Sequence, residues 1–101
     1  MSQYTVYITP EALRDVKNLP GYVRQRVKRV IDGLAANPQP YGSKDLTVPE
    51  GVTANLRRIR LDKWRVIYTV SEADKAVDVL AVRKRPPYDY GDFETLLAEV
   101  H

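Results

Sequence analysis

Cysteine is absent from the 101 residues, and histidine, phenylalanine, tryptophan and methionine occur once each. Without cysteine there are no disulfides and no thiolate nucleophile, which is compatible with a reducing compartment. The single histidine stands at position 101. A Cys-His or Ser-His pair, a histidine-rich metal site and the two-histidine acid–base arrangement for RNA cleavage are therefore excluded. The five glycines form no phosphate-cradling loop, and no residue pattern asks for a cofactor or a metal. No apolar run approaches the roughly 20 residues of a membrane span, and the segment from Met1 to Ile8 lacks the basic start and apolar stretch of a signal peptide. The expectation is a soluble, cytoplasmic protein without membrane contact. Residues 1–101 have the length of one small domain, with 44% hydrophobic residues to fill a single core.

Charge is plentiful but nearly balanced. Lys+Arg 16 against Asp+Glu 13 leaves a formal +3, too little to name a partner by itself. The distribution says more, because cations crowd into Arg24–Arg29, Arg57–Arg65 and Arg83–Arg85. A local basic surface on a balanced protein points to a polyanion. The first cluster is read as the solvated face of an amphipathic helix. In the second, cations alternate with apolar residues from Leu56 to Tyr68 on both sides of Asp62-Lys63, the pattern of a β-hairpin with those two residues as its loop. Leu61 then faces Trp64, Ile59 faces Val66, and Arg60 faces Arg65. Like charges directly opposite are destabilising, and an anionic ligand would relieve them.

Taken in order, Tyr4–Ile8 reads as a strand, with Thr9 as N-cap and Pro10 at the first position of a helix. Leu13, Val16 and Leu19 are spaced for its buried stripe, and Leu19-Pro20-Gly21 breaks it. A second helix follows, with Val23, Val27, Val30, Ile31 and Leu34 inward. From Pro38 to Thr53, prolines and glycines predict a long surface loop. After the hairpin, Ser71–Lys75 is a turn and Ala76–Arg85 a strand. Pairing Val70 with Ala76 puts Ile67 near Val79 and Arg65 near Ala81. Arg83 and Arg85 then join Arg58, Arg60 and Arg65 on one face, while Trp64, Val66, Tyr68, Leu80 and Val82 take the other. Pro86-Pro87 ends the strand. Asp92 caps a last helix with Phe93, Leu96, Leu97 and Val100 as its apolar stripe. The class is α+β: an antiparallel sheet of about four strands, an N-terminal helical hairpin and a C-terminal helix.

Arginine suits a phosphodiester, since its fork donates two hydrogen bonds to a phosphate and stabilises charge on the equatorial oxygens. It is a poor base. A lysine or tyrosine of lowered pKa beside arginines would serve to take a proton from a ribose 2′-hydroxyl. Tyr88 and Tyr90 follow Arg85 closely, and each reads equally as a proton carrier, a stacking platform for a base, or a packed aromatic.

Leu19-Pro20 before a Val-rich helix, the loop from Pro38 to Leu46, the basic strand Leu56–Leu61, the Trp64–Tyr68 strand and the strand ending at Arg85 together resemble the RelE/ParE superfamily of toxins from toxin–antitoxin pairs. The resemblance covers nearly the whole chain and rests on the order and spacing of those strands. It implies a microbial-ribonuclease-like sheet packed by helices, an endoribonuclease that cleaves mRNA in the ribosomal A site, and a cognate antitoxin partner. By the same resemblance Arg60, Arg65, Arg85 and Tyr90 are the catalytic candidates. Arg58, Lys63, Arg83, Lys84 and Tyr88 are candidates for RNA contact, with Lys84 or Tyr88 as alternative proton carriers. Some relatives carry lysine where this chain has Arg58 and Arg60. A ParE-like inhibitor of DNA gyrase and a noncatalytic RNA-binding regulator remain alternatives, because a shared fold does not fix function.

Overall fold

The structure, a computed structural model, describes residues 3–40, 42–45 and 55–84. Arg85, Tyr88, Tyr90 and the helix expected from Asp92 lie outside these residues. The elements are β1 (Thr5–Ile8), α1 (Pro10–Lys17), α2 (Gly21–Gly33), β2 (Ser43–Asp45), β3 (Leu56–Leu61), β4 (Trp64–Ser71) and β5 (Ala76–Lys84). One five-stranded sheet runs in the order β1-β5-β4-β3-β2. The α+β class holds, with two differences from expectation. The sheet has a fifth strand, and β1 runs parallel to β5 rather than antiparallel. The fifth strand is β2, inside the segment expected to be loop; its Ser-Lys-Asp sequence has little β-propensity, and it is placed by pairing with Arg57–Ile59.

The N-cap of α1 is as the sequence indicates. Thr9 Oγ1 accepts from Ala12 N–H at 3.2 Å while its hydroxyl donates to the Val79 carbonyl at 3.0 Å, so one residue both starts the helix and fastens it to β5. Of the expected stripe of α1, Leu19 is buried and Val16 packs against the core, and only Leu13 departs from it. Ala12 is fully buried and Leu13 is 43% exposed. In α2, Val23, Val27 and Ile31 are buried, and Leu34 follows at the helix end. Arg24 donates to the carbonyls of Leu19 and Lys17 at the end of α1, a C-terminal cap reaching across from the next helix. These side chains meet Ile59, Val66, Tyr68, Val70, Val77, Val79 and Val82 in one core between the helices and the sheet.

The hairpin register is the expected one: Leu61 pairs with Trp64, Ile59 with Val66 and Arg60 with Arg65. Only Asp62 in the loop takes positive φ, 59°, so the turn is not type I′, which needs it at both central residues. Between β4 and β5 the expected register fails. Ser71, not Val70, pairs with Ala76, and a bulge shifts the register again between Ile67 and Tyr68. Each one-residue shift exchanges the faces. The first puts Val79 opposite Tyr68 on the helix side in place of Leu80. The second restores Val82 to that side and leaves Arg83 opposite Arg65. Leu80, unpaired at the bulge, is fully buried yet outside the helix-side core.

Candidate functional site, a row of cross-strand arginines

Arg60 on β3, Arg65 on β4 and Arg83 on β5 are direct cross-strand neighbours, and Arg58 shares the next rung with Ile67 and Ala81. Directly opposed residues point to the same face, so the sheet gathers four arginines on the side away from the helices. They occupy one end of that face rather than all of it: Ile67 and Ala81, on the rung of Arg58, and Leu56 farther along are buried.

The row is tolerated because its guanidinium groups find separate partners. Arg65 is buried, with Nη1 donating to the carbonyls of Asp62 at 3.1 Å and Trp64 at 3.0 Å, so it braces the hairpin turn from within. Arg83 leans the other way, to α1, where Nη2 lies 3.2 Å from Glu11 Oε1 and Nε 4.0 Å from Asp15 Oδ2. Asp15 Oδ2 also accepts from Val82 N–H at 3.0 Å. Strand β1 pairs with β5 only as far as Val79, and the Asp15 carboxylate takes a main-chain donor beyond that point. Burial raises the Asp15 carboxyl above the usual 3.8, opposed by the Val82 N–H and by Arg83. Arg60 stays exposed and Arg58 half-buried, and among the described residues neither has an ion pair.

Other cations divide differently from their sequence clusters. Arg57 pairs with Tyr68 on the helix side, and its guanidinium binds Asp45 and Ser43, tying β2 to β3. Lys63 is exposed at the hairpin tip. Lys84 is opposite Trp64, its ammonium 5.9 Å from the indole ring centre; this pair belongs to the helix side, so Lys84 does not join the arginine row. Arg85, Tyr88 and Tyr90 fall outside the described residues. Sequence reasoning missed Glu11 and Asp15, which hold Arg83. The signal was weak but present, since the two acids are one helical turn apart on one face of α1.

Chemically, Arg58 and Arg60 are placed to meet an anionic backbone without first breaking an internal contact, and Arg65 supports the turn beneath them. The described residues contain no group of three or more His, Cys, Asp or Glu placed to hold a metal ion. None of their helices is long and apolar enough to cross a membrane.

Residues 6–86 match the family described as the ParE toxin of type II toxin–antitoxin system, parDE. The protein named RelE1 in Methanocaldococcus jannaschii is 29% identical over 83 residues, covering 82% of this chain and 91% of that protein. Two solved structures share the fold at similar identity. The archaeal RelE–RelB complex from Pyrococcus horikoshii OT3 gives a TM-score of 0.72 at 27% identity, covering 87% of this chain and all of that one. The toxin–antitoxin complex RelBE2 from Mycobacterium tuberculosis gives 0.69 at 28%, covering 84% and 94%. With the family match spanning most of the chain and the same sheet found in its relatives, this protein belongs to the RelE/ParE family and is a toxin of the type II toxin–antitoxin kind.

Proposed function

We propose that this toxin is a metal-independent endoribonuclease that acts in the cytoplasm on mRNA, in the ribosomal A site, and so inhibits translation, and that a cognate antitoxin binds and restrains it. The observation that carries the reading is the cross-strand row Arg60–Arg65–Arg83 with Arg58 on the next rung. Arg60 faces the scissile phosphate and Arg58 orients the strand, while Arg65, buried against the Asp62 and Trp64 carbonyls, positions Arg60 rather than touching the phosphate; Arg85 is assigned to the clamp. In the reaction the ribose 2′-oxygen attacks the adjacent phosphorus as its proton passes to a base, and the bond to the 5′-oxygen breaks as that oxygen is protonated. The arginines stabilise the charge on the equatorial oxygens. Tyr90 is assigned the proton transfer in preference to Lys84, which faces the helix side. The test is cleavage of mRNA on stalled ribosomes by wild type and by Arg60→Ala; equal cleavage by both would remove the row from the mechanism.

A gyrase-inhibiting toxin without catalysis is the second reading. It is favoured by the description of the matching family as ParE toxins, and by Arg65 and Arg83 already having partners within the chain. Inhibition of purified gyrase in a supercoiling assay, with ribosomal mRNA left intact, would decide for it.

A further inference from the structure

Arg83 belongs to the row by register and departs from it by side chain. It stands opposite Arg65, which puts its Cβ on the arginine face, yet its guanidinium turns over the outer edge of β5 to two carboxylates of α1. The backbone makes this reach possible. Strand β1 ends at Ile8, opposite Val79, and beyond that point α1 lies along β5. The helix is fastened there at two places. The Thr9 hydroxyl donates to the Val79 carbonyl at 3.0 Å, and Asp15 Oδ2 accepts from Val82 N–H at 3.0 Å. Glu11 sits between these anchors, one helical turn before Asp15 and on the same face, so its carboxylate is held beside Arg83. Its two oxygens are divided between arginines, Oε1 to Arg83 at 3.2 Å and Oε2 to Arg14. The Arg83 and Glu11 side chains are 22% and 31% exposed, so a bound strand could still reach them.

We infer that Glu11, steadied by Asp15, is a positioning residue that withholds Arg83 from bound RNA and so confines the strand to the β3 side of the row, an inference that rests on the proposal that the row binds RNA. A cation already matched by a carboxylate must surrender that contact before it meets a phosphate. Arg58 and Arg60 have no ion pair among the described residues to surrender. Direction adds to the difference. Neighbouring strands are about 4.8 Å apart, which sets β5 roughly 10 Å from β3, and Glu11 draws the Arg83 guanidinium farther still from Arg60. The two acids also place negative charge at the β5 end of the row, within the Debye length of about 8 Å of any phosphate that Arg83 could hold. A phosphate backbone is therefore attracted along β3 and repelled beyond β5, so the strand follows β3 toward the hairpin tip instead of crossing the row.

The test is the salt dependence of binding to a short single-stranded RNA, which counts phosphates met and which a purely structural ion pair would not move. At about −0.7 in log affinity against log salt per phosphate, Lys44, Arg58, Arg60 and Lys63 together give a slope of roughly −2.8, and a fifth contact would give about −3.5. Glu11→Gln keeps an oxygen for the hydrogen bond and loses the charge. The expected result is the first slope for wild type and for Arg83→Ala, the steeper one for Glu11→Gln, and a return to the first for Glu11→Gln/Arg83→Ala, with urea unfolding showing each variant folded. A wild-type slope in Glu11→Gln overturns the inference. So does a shallower slope in Arg83→Ala, which would mean that Arg83 already meets a phosphate. Retention of the steeper slope in the double variant assigns the effect to the lost charge alone and overturns it too. Arg60→Ala separates this inference from the reading beneath it. A slope of about −2.1 there leaves RNA on the row whatever Glu11 does, whereas an unchanged slope removes RNA from the row and Glu11's role with it.

Discussion

At the scale of single residues, Arg60 and Arg65 are alike in sequence and opposite in structure. Arg65 is 6% exposed and donates to two turn carbonyls, so Arg65→Ala should cost about 1–3 kcal/mol of stability from lost buried hydrogen bonds of a charged group. Arg60→Ala, at an exposed position, should stay within about 0.5 kcal/mol. Urea denaturation gives both numbers. If cleavage falls in both variants, Arg60→Ala is the cleaner evidence for chemistry, because its fold is undisturbed. A stability loss in Arg60→Ala as large as that in Arg65→Ala would contradict the geometry. The opposed pair was legible from alternation around Asp62-Lys63. What each guanidinium does was not, since an anion is one way to relieve like charge and separate internal partners are another. Tyr68 makes a similar point. It is fully buried, its hydroxyl donates to the Pro38 carbonyl at 2.7 Å, and burial raises its pKa. Tyr68→Phe should cost about 1–2 kcal/mol by the same urea measurement, because it strands the buried carbonyl.

At the scale of elements, the junction of α1 with β5 governs how Arg83 is held. Burial raises the Asp15 carboxyl above 3.8, so the native state keeps that proton longer than the unfolded chain does. Stability should therefore fall as pH rises from 3.8 through the raised native value, and flatten above it. Asp15→Asn retains an oxygen for the Val82 N–H but removes the titration, so its unfolding midpoint should lose that descending segment. Urea midpoints from about pH 3 to about pH 7 would show it, and superimposable profiles for wild type and variant would exclude Asp15 as the cause. This junction is also where sequence reading stopped. Thr9-Pro10 announced the helix start and Pro20-Gly21 the break, because caps and breakers act locally. The bulge near Leu80 and the pairing of β2 depend on contacts between segments far apart in the chain. Ser43 and Asp45 look like loop residues until Arg57 binds both. Two successive register shifts cancelled for Arg83 and not for Val79, so the expected arginine face survived while Leu80 was assigned to the wrong side.

At the scale of the molecule, net charge and surface charge separate the two functional readings. A formal +3 gives little nonspecific attraction, so RNA affinity must come from the cations clustered at one end of the sheet. Arg58 and Arg60 on the arginine face, Lys44 opposite Arg58, and Lys63 at the hairpin tip are four that are at least partly exposed and without an ion pair among the described residues. Single-stranded RNA releases counterions with a slope of about −0.7 per neutralised phosphate in log affinity against log salt, so four contacts predict a slope of roughly −2.8. Arg60→Ala should bring it to about −2.1 and weaken all sequences alike. Lys84→Ala should leave it unchanged, since Lys84 lies over Trp64 on the helix side. Fluorescence anisotropy with a short RNA across a salt series measures each slope. A gyrase-binding toxin has no reason to show this pattern. Equal slopes for wild type and Arg60→Ala would mean that the arginine row meets something other than a phosphate backbone.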